Sequence, residues 1–331
     1  MPAATLDVIA IGNAIVDVMA PCADGLIEEL GLVRGGMTLV DTARAQELYD
    51  AMGPAKEISG GSAANTLAGL AALGARCAFI GQVADDQLGE VFAHDIRAGG
   101  ISFDTPARAG DPPTARCLIF VTPDGQRTMN TFLGASQFLP AAALDEQVIA
   151  SAKILYLEGY LWDPEEPRAA MRRAIAAARG AGRKVAFTLS DAFVISRHGD
   201  DFRKLLADGQ IDILFANHTE LAALTGEGLF EAGLAALAPQ VPLLVVTCGA
   251  DGAVALAGGE RAGVPAEPIA KVVDTTGAGD LFAAGFLAGH VNDRPLAECL
   301  TMGAVAAAEI ISHYGARPEA DLKALMAVRL G

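Results

Sequence analysis

Val273-Asp274-Thr275-Thr276-Gly277-Ala278-Gly279-Asp280 runs directly into the apolar stretch Leu281-Phe282-Ala283-Ala284-Gly285-Phe286. These residue types dictate a local shape. Gly277 and Gly279 let the backbone turn tightly and bring N–H groups close to a ligand. A helix starting near Asp280 adds unpaired N-terminal N–H groups and the positive end of its dipole. Loop and helix together form an anion pocket that suits a phosphoryl group, with the N–H groups of Gly277, Ala278 and Gly279 facing it. Asp280, at the helix mouth, faces the same place and can take a proton from an attacking hydroxyl. The bland alternative is a plain turn with Asp280 as helix cap. For Gly-x-Gly-Asp in isolation that alternative is the better reading.

Around this segment, short apolar runs alternate with Ala-rich helical stretches. Leu6–Ile11, Ala78–Gln82, Ile154–Leu157, Val185–Leu189, Ile213–Ala216 and Leu243–Thr247 read as buried strands. Their nearly unbroken apolar character suits a parallel sheet covered on both faces. Helical patterns lie between and after them at Ser62–Leu73, Gln87–Ala98, Pro167–Ala178, Thr219–Leu224, Asp280–Ala288 and Leu296–Ile311. The alternation predicts βαβ units and a doubly wound, mostly parallel α/β sheet flanked by helices, in a single domain over residues 1–331. Two regions break the rhythm. Asn13–Val40 and Thr114–Leu133 alternate like half-exposed strands around turns such as Arg34-Gly35-Gly36 and Pro123-Asp124-Gly125. The second reads as a hairpin of Arg116–Thr122 and Arg127–Leu133. Insertions at about 13–45 and 104–134 would form a small β-sheet lid over a site beyond the carboxyl ends of the main strands.

Composition removes whole classes of function. The chain has 331 residues, 52% of them hydrophobic, and a net charge of −16. So much apolar material excludes global disorder, and the acidic balance argues against a nucleic-acid groove, which needs clustered Lys and Arg. No apolar run is long enough to cross a bilayer. No charged region precedes the first apolar stretch, so no secretory signal is expected and the chain reads as cytoplasmic. The five cysteines, Cys22, Cys77, Cys117, Cys248 and Cys299, are scattered and read as free thiols in a reducing compartment. GxxxxGK[ST] is absent, no GxGxxG follows the first strand, and neither Gly-x-Ser-x-Gly nor a zinc-spaced His/Cys cluster occurs.

Further motifs stand in a fixed order along the chain. They are Gly12-Asn13-Ala14-Ile15-Val16-Asp17, Gly60-Gly61-Ser62-Ala63-Ala64-Asn65, Asn217-His218-Thr219-Glu220 and Val246-Thr247-Cys248-Gly249-Ala250-Asp251-Gly252. Each has a plain reading. Asp17 can be a surface carboxylate, Gly60-Gly61 a flexible start to a helix, Asn217 and Glu220 a capping box, and Thr247 with Gly249 a simple turn. Together with Val273–Asp280 and the tail Ser312-His313-Tyr314-Gly315-Ala316, the ordered set resembles the ribokinase-like (PfkB) family of carbohydrate and nucleoside kinases.

The resemblance implies ATP-dependent phosphoryl transfer to a primary hydroxyl, with Asp280 as the proton acceptor. It implies that Asp17, Gly60, Gly61 and Asn65 meet the acceptor's hydroxyls, and that Asn217, Glu220, Thr247, Gly249, Gly252, Thr275 and His313 lie along the nucleotide. Glu220 would contact Mg²⁺ through water. The resemblance further implies a monovalent cation such as K⁺ beside Asp274 and the carbonyls near Thr276 and Gly315, although Glu319 stands where ribokinases carry a small hydroxyl residue. Thr114-Ala115-Arg116 departs from the pattern too, with Ala where the family often has Gly. Relatives of this kind occur as monomers or as homodimers paired through their lids. Gly12-Asn13 and Gln126-Arg127-Thr128-Met129 look more like adenosine kinases than ribokinases. Met37, Leu39, Met129, Tyr160 and Phe193 could line a nucleoside base, the alternative for each being core packing. The expected acceptor is therefore the 5′-hydroxyl of a nucleoside, adenosine first, with a ribokinase- or fructokinase-type sugar kinase as the alternative. A non-catalytic sugar or nucleoside sensor is a third reading, and the intact Asp280 argues against it.

Overall fold

One large, mostly parallel sheet organises the chain. The computed structural model of the chain describes residues 4–331. The large sheet contains β1 (Leu6–Ile11), β5 (Cys77–Ile80), β6 (Ile101–Phe103), β9 (Ala152–Glu158), β10 (Lys184–Thr188), β11 (Ile213–Asn217), β12 (Leu243–Thr247), β13 (Ala253–Ala257) and β14 (Glu260–Val264). Its order is β14-β13-β12-β11-β10-β9-β1-β5-β6. From β12 to β6 every pairing is parallel, and β13 and β14 add an antiparallel edge. All six strands expected from apolar runs are present, shifted by at most a few residues at their ends.

The apolar runs have a physical cause. Val8 and Ala10 enter one apolar layer with Leu67, Leu281 and Phe286. Ile9 and Ile11 enter the opposite layer with Leu157, Trp162, Phe187 and Phe202. A strand covered on both faces cannot afford polar alternation. Burying each large side chain contributes about 1.5–3 kcal/mol, so these two layers hold the flanking helices to the sheet.

The small sheet contains β2 (Ile15–Pro21), β3 (Met37–Leu39), β4 (Lys56–Gly60), β7 (Ala115–Val121) and β8 (Arg127–Phe132), in the order β3-β8-β7-β2-β4. The hairpin expected at 116–133 is β7 and β8. Two details differ from the sequence reading. Asp24–Glu29 is helical rather than extended, with Ile27 as its buried residue. The sheet also takes in β4, beyond the 13–45 segment, after a helix over Thr42–Ala51 capped by Asp41. Only the last two residues of β4 are fully buried, so no apolar run marks it in the sequence. The helix Ala192–Ala207 was likewise not anticipated; Asp191 caps it, and it buries Val194, Ile195, Phe202, Leu205 and Leu206 at helical spacing. Among the described residues no single helix is long and apolar enough to cross a membrane.

Candidate active site

Successive parallel strands end side by side. Glu158 of β9 is the register partner of Thr188 of β10, and Asn217 of β11 that of Thr247 of β12. Facing this rim is the helix Ala278–His290, whose N-cap Gly277 has φ +78°. A Cβ on Gly277 would also lie 2.9 Å from the Ala316 Cβ, so glycine is required twice over. No side chain caps this helix. The N–H of Ala278 goes to the Thr275 carbonyl at 3.2 Å, which removes it from the donors expected to face a phosphoryl group. Gly279 is exposed, with open space where a Cβ would stand.

Asp280 is held by two donors. Ser62 Oγ donates to one carboxylate oxygen at 2.6 Å and Asn65 Nδ2 to the other at 3.1 Å. Both donors lie in the first turns of the helix Ser62–Ala72. That helix approaches the Asp280 helix closely because Gly69 has no side chain: a Cβ there would lie 2.5 Å from Leu281 and 2.7 Å from Ala284. Burial raises the Asp280 pKa, and the Ser62 and Asn65 hydrogen bonds and the charge of Arg317 oppose that rise. Asn65 Oδ1 is buried without a partner. An orphaned buried acceptor costs about 1–3 kcal/mol, so a ligand hydroxyl would relieve it.

Asp17 reaches the same space from the small sheet. It is register partner to Cys117, which pairs with Thr131; Met37, Met129 and Ile119 are likewise matched. Residues paired across strands share a face, so Asp17, Met37, Leu39 and Met129 lie on one side of the sheet. Met37 is 52% and Leu39 56% exposed, and Met129 is half-buried. The Asp17 carboxylate lies against Gly60, where a Cβ would sit 2.7 Å from Oδ2. Gly61 has φ +97°, and its Cβ would fall 2.2 Å from the Asn13 carbonyl oxygen. Burial pushes the Asp17 pKa up to about 6, against the attraction of Arg127 and Arg317 and with the repulsion of Asp274 and Asp280.

Tyr160 and Phe193 stand outside the core, 38% and 68% exposed. Burial of the Tyr160 hydroxyl raises its pKa, with the charges of Asp191, Asp280, Glu220 and Glu158 adding to the rise. Phe193 carries the Arg197 guanidinium 4.2 Å from its ring centre.

At the carboxyl end of β11, Asn217 and Glu220 form a reciprocal capping box at the start of the helix His218–Thr225. Glu220 accepts from the Asn217 N–H at 3.0 Å and from Asn217 Nδ2 at 2.6 Å. It is 5% exposed, and burial pushes its pKa up to about 7. The structural role of this pair is thus realised. Among the described residues no group of three or more His, Cys, Asp and Glu is arranged to hold a metal ion. Thr247 ends β12, and the following turn closes by a 2.7 Å bond from the Cys248 N–H to the Gly252 carbonyl. Gly249 is exposed at φ +58°, whereas Gly252 at φ +91° is pressed against the Val264 carbonyl. Thr275 is exposed. His313 is half-buried, with Nε2 3.0 Å from a Glu309 oxygen. Asp274 is occupied by protein donors: Arg127 forms an ion pair with it, Thr276 N–H donates at 3.0 Å and Gly315 N–H at 3.2 Å.

Several residues of this site carry no motif. Glu158 is fully buried and accepts from the Asn13 N–H at 2.8 Å, Asn13 Nδ2 at 2.7 Å and the Ala63 N–H at 2.7 Å. Burial pushes its pKa up to about 7. A carboxylate ending the apolar run Ile154–Leu157 was the available signal. Ser62 and Arg127 lie inside motifs quoted above, but their partners Asp280 and Asp274 are distant in sequence, so no local pattern marked these roles, and Arg317 lies outside every quoted motif. Arg127 Nε and Nη2 are buried without hydrogen-bond partners, which leaves donors for an anion beside Asp274.

Comparison with known proteins gives concordant results. The family model described as pfkB family carbohydrate kinase matches residues 37–322. The adenosine kinase of Sinorhizobium meliloti is 49% identical, with a TM-score of 0.90 and 99% of each chain covered. A probable sugar kinase from Rhizobium etli is 44% identical, with a TM-score of 0.91 over 98% of this chain and 99% of that one. Fructokinase-2 of Solanum habrochaites is 28% identical, spanning 83% of this chain and 84% of its own length. The chain belongs to the pfkB family of carbohydrate kinases, phosphotransferases that act on hydroxyl groups.

Proposed function

We propose that the chain transfers the γ-phosphoryl group of ATP to the 5′-hydroxyl of adenosine. The observation that carries the acceptor is the 49% identity to an adenosine kinase over 99% of both chains. Exposure supports it: Met37, Leu39, Tyr160 and Phe193 are large apolar side chains left 38–68% exposed. The acceptor's ribose hydroxyls would bind the Asp17 carboxylate and the unpartnered Asn65 Oδ1. Asp280, oriented by Ser62 and Asn65, then takes the proton of the 5′-hydroxyl as the new O–P bond forms. Its raised pKa favours that transfer. The Gly279 N–H and the unpartnered Arg127 donors would meet charge on the transferring group.

The donor set fits Mg²⁺ carried by the nucleotide rather than caged by protein, since among the described residues no acidic cluster is arranged to hold a metal and Glu220 is already engaged as a cap. Glu220 would act through water. Mg²⁺ on the nucleotide supplies neutralisation of the phosphate oxygens.

A sugar kinase is the second reading, favoured by the fructokinase relatives and by the 44% identical probable sugar kinase. ADP release with adenosine, guanosine, inosine, ribose and fructose separates the two. Adenosine should give the highest kcat/KM, and a higher value for ribose or fructose replaces the adenosine reading with the sugar reading.

A further inference from the structure

Arg317 is a half-buried cation with no part in the chemistry derived so far. Its Nε and Nη2 donate to the Ser59 carbonyl at 3.0 and 2.6 Å, and Nη2 also reaches Ser59 Oγ at 2.9 Å. Its Nη1 donates to the Ala64 carbonyl at 2.7 Å. Ser59 precedes the pair Gly60-Gly61, and Ala64 follows it in the first turn of the next helix. The guanidinium fork therefore straddles the glycine hinge through which the small sheet joins the helix bearing Ser62 and Asn65. From the other side Asp95 accepts from the Ser59 N–H at 2.7 Å and from its hydroxyl at 2.6 Å.

The residues just before Arg317 touch the phosphoryl loop. Gly315 donates its N–H to Asp274 at 3.2 Å, and Ala316 packs on Gly277. Three consecutive residues thus connect the anion pocket to the lid hinge. The charged groups facing Arg317 are Asp95 from the helix Gln87–Ala98, Asp17 from β2 and Asp280. Asp17 also faces Arg127 of β8 and Asp274, and Arg317 favours the ionised form of both Asp17 and Asp280.

We propose that Arg317 is a positioning residue that couples the phosphoryl-binding loop to the hinge of the small sheet and supplies the cation facing the Asp17 and Asp280 carboxylates. The proposal rests on the reading of Asp280 as base and Asp17 as acceptor contact. Lysine keeps the charge and loses the planar fork; glutamine loses both. Two measurements on full-length Arg317→Lys and Arg317→Gln test it. In the pH profile of kcat/KM, taken with whichever of the five acceptors wild type uses best, Arg317→Gln should move the acid limb up by about one pH unit. Arg317→Lys should leave the limb in place. In amide hydrogen exchange, MgADP should protect residues 56–61 in wild type, and both variants should lose that protection. An unmoved acid limb in Arg317→Gln overturns the charge role. Protection that persists in the variants, or is missing from wild type, overturns the coupling. Should wild type turn over none of the five acceptors, the proposed function fails while the exchange experiment still decides the coupling. If Arg317→Gln does not fold, Arg317→Lys carries that experiment.

Discussion

In the proposed reaction Asp280 takes the proton of the acceptor hydroxyl, and its surroundings specify what its loss should do. Ser62 and Asn65 both donate to it, so asparagine keeps the shape and removes the proton acceptor. Asp280→Asn should lower kcat by about 10²–10⁴-fold with little change in MgATP affinity, measured by single-turnover assay and nucleotide titration. Turnover within a few-fold of wild type would reject it as the base. A second expectation concerns Tyr160 and Phe193, both partly exposed. A ring that contacts a base is worth on the order of 1–3 kcal/mol. Tyr160→Ala or Phe193→Ala should therefore depress kcat/KM for adenosine and leave that for ribose nearly unchanged; equal losses on both substrates would remove the aromatic wall. Asp280, Gly277 and Gly279 were legible because one continuous stretch holds them. Glu158 and Arg317 were not, since Glu158 acts on Asn13 across 145 residues and Arg317 on Ser59 across 258. No local pattern encodes a pairing of that kind.

Elements were readable in proportion to how completely they are buried. The parallel strands β1, β5, β9, β10, β11 and β12 show as apolar runs because both faces are covered, whereas β4 buries only Ser59 and Gly60 and three of the five residues of β14 are exposed. At the junction of β11 and the helix His218–Thr225, the proposed Mg²⁺ contact of Glu220 stands beside its role as a cap. Asn217 and Glu220 cap each other, a contribution of about 0.5–2 kcal/mol. A cap and an outer contact to hydrated Mg²⁺ are compatible, because each carboxylate oxygen has a second lone pair. Glu220→Gln should accordingly lower the melting temperature and also raise the Mg²⁺ concentration for half-maximal activity. A melting shift with unaltered Mg²⁺ dependence would confine Glu220 to capping.

At the scale of the whole molecule, the buried carboxylates set the pH dependence of stability. Burial pushes Asp17 up to about 6, and Glu158 and Glu220 up to about 7. Between their ordinary values near 4 and these raised ones, the native state binds protons that the unfolded chain releases. Stability then falls as pH rises through that window. Asp124, held down to about 2 by hydrogen bonds from Thr122 and Arg34, works in the opposite sense only below about pH 4. The melting temperature should be higher at pH 5.5 than at pH 7.5, and Glu158→Gln should flatten the difference; a melting temperature that climbs steadily toward pH 7.5 would contradict this. The bond between Ser62 and Asp280 joins residues 218 positions apart. During synthesis the amino-terminal part emerges first. A ribosome paused before Val273 would display the hydroxyl-binding half of the cleft with neither proton acceptor nor phosphoryl loop. On the proposed mechanism translation therefore completes the catalytic apparatus last, and a chain interrupted there lacks the residues that would turn over ATP.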